Sequence, residues 1–282
     1  MKGFIFKASS IFTCFIPTKL LIKLSGKKII YPFYHIISDN PPPHIKHLYP
    51  IRSVKQFEKD LDFLQKYFTA SEFDSGNNKP QFILSFDDGL SEVYDIVAPI
   101  LKRRNIPAIF FVNSAFVDNK DIFKNYIFSL KQENPETDYK KYLTNKKPYL
   151  TSEQIFELIN EGFKIGAHSI NHPLFSEISE AEQIKQTKES IDFICKKFGE
   201  KQKLFAFPFT DDGVTDVFFN TVFENKIVDY TFGTAGIKDD IFERNIQRIP
   251  IEKYGLSAKR HIKTEYLLYI IKKLFGKHVV KR

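Results

Sequence analysis

Residues 82–89, FILSFDDG, form the stretch from which the fold of this chain can be worked out. They are typical of a short apolar strand that ends in two adjacent carboxylates, Asp87 and Asp88, and a glycine. Two neighbouring carboxylates repel each other, and burial raises the free-energy cost of placing them together. One interpretation is therefore that a cation, most simply a metal ion, lies in front of them. Because Asp-Gly is also ordinary turn chemistry, a plain strand-to-turn junction stays equally open.

A helix and a second strand follow this stretch. Apolar residues recur at helical spacing from about 91 to 104, and residues 108–112, AIFFV, form a continuous apolar run. Such a run suits a strand that is buried on both faces. Strand, helix and buried strand make a βαβ unit, which favours a parallel sheet or a barrel.

The alternation of helices and strands continues along the chain. Helix starts are predicted at the capping residues Ser53 and Thr151. Further helices are predicted over 180–198 and 216–225, and further strands over 28–37, 163–168, 203–207 and 227–232. This order predicts one α/β domain, a distorted (β/α) barrel, with polar groups gathered at the carboxyl ends of its strands.

The chain divides into three parts by charge. Residues 1–28 carry six lysines and no acid, and are predicted to be a basic, apolar N-terminal extension. Residues 29–258 are predicted to form the barrel domain, with an insertion at 116–150. Residues 259–282 carry eight Lys or Arg and one Glu, and are predicted to be a basic amphipathic helix. The expected apolar stripe of this helix is Leu267, Ile270, Ile271 and Leu274, with Glu265, Lys272 and Gly276 opposite.

The two basic ends bear on the partners of the chain. Together they carry a charge of +13, so the net charge of +8 leaves −5 on residues 29–258. This acidic part contains no nucleic-acid-binding motif, which argues against nucleic acid as a partner. The longest uncharged run near the N-terminus, residues 8–18, is shorter than the roughly 20 residues that a membrane span needs. Surface contact with a membrane and a docked terminal helix both stay open. The two cysteines, far apart, fit a reducing compartment.

A second group of polar residues follows the predicted strand at 163–168. His168 and His172 are four residues apart, but Pro173 disfavours a helix at His172, so the pair is expected in a loop at a strand end. Two imidazoles and one carboxylate make a three-ligand set for Zn²⁺ or a similar divalent ion. Two unrelated histidines in a turn are the alternative for this pair alone.

Taken together, these motifs resemble those of the polysaccharide deacetylases of the NodB-homology type, which are metal-dependent carbohydrate esterases. The matching stretches are SFDDG at 85–89, HSINHP at 168–173 and, more weakly, FAFPF at 205–209. The resemblance runs from about residue 29 to 251 and implies the barrel of this family. It also implies a divalent metal, most simply Zn²⁺, with Co²⁺, Ni²⁺ or Mn²⁺ as alternatives.

The resemblance implies roles for single residues. Asp88, His168 and His172 would hold the metal. Asp87 would be the general base that takes a proton from the attacking water. The backbone N–H of Phe209 would stabilise the tetrahedral oxyanion.

Two positions depart from the family pattern. Many members carry an arginine that orients the base where this chain has Ala206, and Arg248, at another strand end, is the candidate to supply that charge. A surface or packing role for Arg248 is the alternative. The final motif, with the histidine that protonates the leaving amine, is also not evident. His35 and His261 are the candidate substitutes.

The function expected from these features is metal-dependent deacetylation of an N-acetylated amino sugar in a polysaccharide or a lipid-linked glycan. A catalytically silent glycan-binding or scaffold protein of the same fold is one alternative, and a hydrolase of another amide or ester, such as a formyl group, is another. The basic, apolar ends predict a cytoplasmic protein that contacts the inner face of the membrane peripherally.

Overall fold

The computed structural model describes residues 2–42, 45, 50–73, 79–119 and 148–282. Most of the predicted insertion at 116–150 therefore lies outside the described residues. The described helices are α1 (Lys2–Phe12), α2 (Thr18–Ser25), α3 (Val54–Tyr67), α4 (Ala98–Arg103), α5 (Ser152–Asn160), α6 (Glu180–Phe198), α7 (Asp216–Glu224) and α8 (Ala258–Leu274). Short 3-10 turns cover Thr13–Phe15, Val117–Asn119 and Phe175–Glu177, and a π-helical turn, Val93–Val97, leads into α4.

Eight parallel strands form the central sheet. The strands of the chain are β1 (Ile29–Ile30), β2 (Pro32–Tyr34), β3 (Thr69–Ala70), β4 (Gln81–Phe82), β5 (Leu84–Phe86), β6 (Ala108–Val112), β7 (Lys164–Ala167), β8 (Leu204–Ala206), β9 (Tyr230–Gly233), β10 (Asp239–Asp240), β11 (Asn245–Gln247), β12 (Ile249–Pro250) and β13 (Val279–Val280). The spatial order of the central sheet is β11-β9-β8-β7-β6-β5-β2-β12. Two smaller parallel sheets, β1-β4-β3 and β10-β13, flank it.

The central sheet is nearly closed into a barrel by one segment of chain. Its two outermost strands, β11 and β12, are consecutive in sequence and are separated only by Arg248. The Arg248 N–H donates to Gly233 O at 3.2 Å, and the Ile249 N–H donates to Tyr31 O at 2.8 Å. The same segment thus pairs with both edges of the sheet, and Arg248 lies at the seam. The predicted α/β barrel is confirmed.

Alternation along the strands divides the core into two layers. Phe111 packs inside the barrel with Ile83, Leu204 and Phe232, whereas the neighbouring Phe110 packs outward into the core that the helices cover. All five residues of β6 are buried, as expected for a strand with covered faces on both sides. Aromatic rings fill much of this volume, since Phe57, Phe82, Phe86, Phe110, Phe111, Phe116 and Phe175 are among the largest fully buried side chains.

Local signals set the helix boundaries. Ser53 and Thr151 form capping boxes with Gln56 and Gln154, so the two predicted helix starts are confirmed. The predicted strand at 28–37 is instead split into β1 and β2, which join different sheets on either side of Tyr31. Pro32 starts the second piece, and it has no N–H to continue a ladder.

The prediction for the C-terminal helix is wrong in two respects. Helix α8 ends at Leu274, and β13 follows it within the predicted helical range. The expected stripe is also misplaced, because Leu274 is 80% exposed whereas Glu265 is buried and accepts a hydrogen bond from Ile237 N at 3.1 Å. Apolar residues occur around the whole circumference of α8, so its buried face is decided by the helices α1, α2 and α3 that pack against it and not by periodicity.

Candidate active site

The carboxyl ends of the neighbouring strands from β8 through β7, β6 and β5 to β2 lie at one rim of the barrel. Main-chain hydrogen bonds fix the levels of the residues there: Asp87 N donates to Tyr34 O, and His168 N donates to Val112 O, both at 2.9 Å. Phe207 N donates to Phe232 O at 3.1 Å. The residues that follow β2, β5, β7 and β8 are therefore brought together, and they include both sequence motifs.

Asp88, His168 and His172 form a compact cluster at this rim. Asp88 Oδ1 lies 3.3 Å from His168 Nε2 and 3.2 Å from His172 Nε2. One donor atom from each of the three side chains lies within 4.8 Å of the other two. Two imidazole nitrogens and a carboxylate oxygen are the donor set of open zinc sites. The structure thus brings together the three predicted ligands.

The tautomer of His168 tests whether a cation fits this cluster. Its Nδ1 lies 2.9 Å from Ala206 O, and because a carbonyl can only accept, Nδ1 carries the proton. In the neutral imidazole the Nε2 lone pair then points at the Asp88 carboxylate, which is repulsive unless a positive charge lies between them. The arrangement matches a metal-ligating histidine held by an outer acceptor, so the residues fit a divalent ion.

Unusual backbone conformations aim these ligands. Asp88 and Gly89 have φ of 73° and 67°, so the chain turns sharply after β5. A Cβ on Gly89 would lie 2.9 Å from Val112 Cγ1, which explains the glycine. His172 also has a positive φ of 61°, and Ser169 Oγ accepts its N–H at 3.0 Å. Left-handed non-glycine residues are strained, and such strain is concentrated at functional sites.

Asp87 is held by a two-pronged ion pair with Arg248. Nη1 and Nη2 of Arg248 each lie 2.7 Å from one carboxylate oxygen of Asp87, and both side chains are buried. Burial by itself would raise the pKa of Asp87, but the charge and hydrogen bonds of Arg248 outweigh it, so the pKa is lowered. Asp87 is therefore a carboxylate at neutral pH, and it lies beside the ligand cluster without belonging to it.

The Arg248 side chain is itself fixed on all sides. Nε donates to Gly233 O at 3.3 Å and Nη1 to Ser85 Oγ at 3.1 Å. The guanidinium lies over the ring of Phe33, 4.2 Å from its centroid. Arg248 is therefore neither a surface residue nor a residue that only packs against apolar groups. Its hydrogen bonds hold the guanidinium in place against the Asp87 carboxylate.

His35 follows β2 at the same rim and pairs with Glu252. Its Nδ1 lies 2.7 Å from Glu252 Oε2, which also accepts the His35 N–H at 3.1 Å. Burial would lower the pKa of His35, but the bond to Glu252 and the charges of Asp88 and Asp87 outweigh it and raise the pKa to about 9. His35 is thus an imidazolium at neutral pH beside the two aspartates.

His261, the other predicted proton donor, lies elsewhere. It is fully buried in α8 and packs against the rings of Phe6 and Tyr254, at centroid distances of 4.8 and 5.4 Å. Burial lowers its pKa to about 3, so it is neutral at neutral pH. Among the described residues it contacts neither aspartate of the site. The prediction that His261 substitutes for the missing acid is therefore not supported by its position, because α8 packs this side chain against Phe6 of α1 and against Tyr254.

Phe209 lies at the rim beside His172. It has a positive φ of 57°, its ring is 62% exposed, and it packs edge-to-face on His172 with a centroid distance of 4.5 Å. Within the part of the chain that the structure describes, no acceptor takes its backbone N–H. A strained aromatic with an available N–H beside the ligand cluster can contact a bound substrate by ring and by backbone.

Several residues of the site could not be identified from the sequence. Asn113, at the end of β6, donates from Nδ2 to His168 O, and Gln186 Oε1 accepts the Ile170 N–H at 2.9 Å. Both hold the loop that carries the two histidines. Glu252 holds His35 in place in the same way, by hydrogen bonds to its ring and its backbone N–H. Position at a strand end was an available signal for Asn113, whereas nothing in the sequence links Gln186 or Glu252 to the site.

The geometry predicts the effect of removing a histidine of the cluster. His172→Ala is expected to weaken binding of a divalent ion by more than about 100-fold, since losing even an outer partner of a metal ligand costs about 10–100-fold. Equilibrium dialysis followed by elemental analysis measures this. His278→Ala is the matched control, because His278 packs against Tyr269 away from the cluster. Wild-type metal content in His172→Ala would contradict the ligand assignment.

Solved structures share the architecture of this chain. Streptococcus pyogenes deacetylase PplD in complex with acetate superposes with a TM-score of 0.63 and 17% identity, over 85% of this chain and 98% of that one. IcaB from Ammonifex degensii gives a TM-score of 0.61 and 18% identity, also over 85% and 98%. At these identities the likeness shows the fold.

Sequence comparison identifies the family. The poly-beta-1,6-N-acetyl-D-glucosamine N-deacetylase of Staphylococcus aureus strain MSSA476 is 27% identical over 218 residues, which cover 70% of this chain and 71% of that protein. A family model described as polysaccharide deacetylase matches residues 74–221, just over half of the chain, and this range includes Asp87, Asp88, His168 and His172. The chain therefore belongs to the polysaccharide deacetylase family, whose members are carbohydrate deacetylases that depend on a divalent metal.

Proposed function

We propose that this protein is a divalent-metal-dependent deacetylase that hydrolyses the N-acetyl group of an amino sugar in a polysaccharide or lipid-linked glycan. Glycan N-deacetylation is the activity of its family. The observation that carries the proposal is the buried Asp87–Arg248 pair beside the Asp88, His168 and His172 cluster. The name of the Staphylococcus aureus relative supports a chain of β-1,6-linked N-acetylglucosamine as the substrate class.

The two aspartates divide the work of the site. Asp88 is the proposed metal ligand with His168 and His172, and Zn²⁺ is the proposed ion because it favours this mixture of nitrogen and oxygen donors. Co²⁺, Ni²⁺ and Mn²⁺ are the proposed alternatives. A divalent ion bound there lowers the pKa of a water and polarises the acyl carbonyl. Asp87 stays outside the ligand set, so its carboxylate is available to accept the proton of the attacking water.

Arg248 is the proposed positioning residue for the base. Its two hydrogen bonds fix the plane of the Asp87 carboxylate, and its charge keeps that group ionised in a buried place. Arg248 would thus replace the arginine that many family members carry at the position of Ala206. In this chain the charge reaches the base from the seam of the barrel and not from the end of β8.

Phe209 and His35 are the proposed partners of the substrate oxygen and nitrogen. The Phe209 N–H would donate to the oxygen that becomes negative during attack, as in other oxyanion holes. His35, protonated at neutral pH, would give its proton to the amine that leaves. Glu252 holds the Nδ1 side of the ring, so Nε2 is the atom from which the proton would be delivered.

The His35 assignment predicts a change in the pH profile. An acid must be protonated to act, so activity is lost as pH rises through the pKa of His35. Glu252→Gln removes the carboxylate that raises this pKa. The basic limb of kcat/KM is therefore expected to move to lower pH, by about one unit or more. An unchanged basic limb in Glu252→Gln, with unchanged metal content, would contradict the role of His35.

Release of acetate tests the proposed activity. Metal-loaded protein is incubated with oligosaccharides of β-1,6-linked N-acetylglucosamine and with chitin oligosaccharides, and the released acetate and free amines are counted. Acetate in equal number to the new amines is expected. Formate released from formylated sugars, without acetate, would assign another acyl group. No release from any of these substrates by protein that contains metal would overturn the proposal in favour of a glycan-binding protein.

A further inference from the structure

The first helix and the turn after it expose most of their apolar residues and bury two hydroxyl side chains together with the ring of Phe6. Residues Phe4, Ile11, Phe12 and Phe15, which we call the α1 face, are 79, 59, 70 and 87% exposed and lie on one side of α1 and the turn that follows. On the opposite side Ser10 and Thr13 are fully buried. A surface helix of a water-soluble domain has the reverse arrangement.

Contacts with α8 fix this orientation. Arg260 Nη2 donates to Ser10 Oγ at 2.8 Å, and Lys263 Nζ donates to Cys14 O at 3.3 Å. Phe6 stacks on Tyr254 with a centroid distance of 4.3 Å. Rotating α1 to bury its aromatic residues would break these bonds and would leave the partly buried ends of Arg260 and Lys263 without these acceptors. The outward direction of the α1 face is thus a property of the docked helix.

Charge around the α1 face shows what kind of surface would cover it. The first 28 residues contain six lysines and no acid. Lys7, Lys19 and Lys23 are exposed, and none of them forms an ion pair with any residue that the structure describes. An apolar face on a segment whose exposed lysines have no described ion pair complements an anionic lipid surface, in which rings enter the headgroup boundary and lysines meet phosphates.

The lengths of the helices favour a helix that lies in the surface. In the described ranges of the chain no single helix is long and apolar enough to cross a bilayer. The segments Phe6–Phe15 and Thr18–Ser25 reach the required length only together, and a bend of 113° separates them. α1 has 11 residues, which is sufficient for a helix parallel to the surface.

We propose that the α1 face docks the protein onto an anionic lipid surface, with α1 parallel to the membrane. Phe6, on the side of α1 that packs against the rest of the protein, lines a groove that is also lined by Phe209. The docked helix would therefore share this groove with one residue of the candidate active site. This proposal stands on the exposed face and its charge, and it does not depend on the reaction that the site performs.

Vesicle co-sedimentation of the full metal-loaded chain tests the docking. The vesicles are phosphatidylcholine with and without phosphatidylglycerol. The triple variant Phe4→Ser, Phe12→Ser, Phe15→Ser is expected to bind the anionic vesicles about 100-fold more weakly than the wild type, because each inserted ring contributes through the area it buries. The matched control is Val217→Ser with Ile241→Ser, since these residues are 50 and 51% exposed and lie outside α1 and α2.

A second variant isolates the charge. Lys7→Gln, Lys19→Gln, Lys23→Gln is expected to lose about fivefold in affinity per lysine on vesicles with phosphatidylglycerol, and to change little on pure phosphatidylcholine. Unfolding temperature and acetate release from a soluble oligosaccharide are expected to stay at wild-type values in both variants, because the substituted residues contact neither the site nor the core.

Two results would overturn the proposal. One is binding of the serine triple variant to anionic vesicles with wild-type affinity. The other is a wild-type dimer, seen by light scattering without vesicles, that becomes monomeric in the triple variant, since a second copy of the chain would then be the partner that covers the α1 face.

Discussion

Replacing Asp87 with asparagine is expected to lower acetate release by about 10²-fold or more while the protein keeps its metal. The amide has nearly the shape of the carboxylate but cannot take up the proton of the attacking water. Asp87 lies outside the Asp88, His168 and His172 cluster, so the substitution leaves all three proposed ligands in place. Loss of activity with retained metal is the signature of a general base.

The measurement pairs kcat/KM for acetate release with metal content of the same preparation. Asp62→Asn is the matched control, because Asp62 is an exposed carboxylate whose partner, Arg104, lies on the surface 2.7 Å away. Its activity is expected to equal that of the wild type. If Asp87→Asn kept more than about a tenth of the wild-type rate, the base would have to be another group.

Arg248→Met is expected to lower the free energy of unfolding by about 3–5 kcal/mol at neutral pH, and to lower activity as well. The methionine fills part of the volume over Phe33 but leaves the Asp87 carboxylate buried without a counter-charge. Removing one partner of a buried ion pair lowers the free energy of unfolding by more than the intact pair contributes to it, because the remaining charge stays out of water. The two side chains are 0 and 2% exposed, so solvent cannot take the place of the guanidinium.

The sign of the pH dependence follows from the same pair. In the wild type, the pKa of Asp87 is lowered, so the pair contributes stability above the ordinary carboxylate pKa, and this contribution is lost as pH falls through the folded value. In Arg248→Met, burial alone would raise the pKa of Asp87, and its destabilising charge is neutralised as pH falls. The difference in stability between the two proteins is therefore expected to narrow from pH 7 toward pH 4.

Denaturant unfolding at several pH values measures this difference. The double variant Arg248→Met with Asp87→Asn provides the control, because it removes the buried charge together with its partner. It is expected to recover about half or more of the stability that Arg248→Met loses. A loss that persists unchanged in the double variant would show that Arg248 stabilises the seam of the barrel by packing instead of holding Asp87.

Local order was predictable from the sequence because it depends on neighbouring residues. Capping at Ser53 and Thr151, the buried strand β6 and the helix α6 all follow from patterns within a few turns of chain. Since parallel strands share one carboxyl end, the two motifs could also be expected to meet at one rim. The structure places Asp88, His168 and His172 together as that rule requires. The expected cytoplasmic location and the exclusion of nucleic acid stay predictions.

The buried faces of helices were predicted less well where the apolar residues lack one dominant period. α8 has apolar residues on every side, so its stripe was misplaced, and His261 was considered as an acid although the helix buries it against α1. For α1 the apolar residues were identified correctly, but the direction in which they face was not predictable. The apolar residues were visible in the sequence, but only the bonds from α8 decide that they face outward.

By itself, the sequence determined the barrel and most of the order of its elements, and it predicted the ligand set that follows β5 and β7. The tertiary structure decided which charges hold Asp87 and His35, the two side chains proposed to act beside those ligands. Arg248 and Asp87 are 161 residues apart in sequence, and Glu252 and His35 are 217 apart. Both pairs form only because the segment after β9 closes the barrel onto β2. Closure of a sheet depends on hydrogen bonds between its two edges, and local sequence does not record which residues those edges bring together.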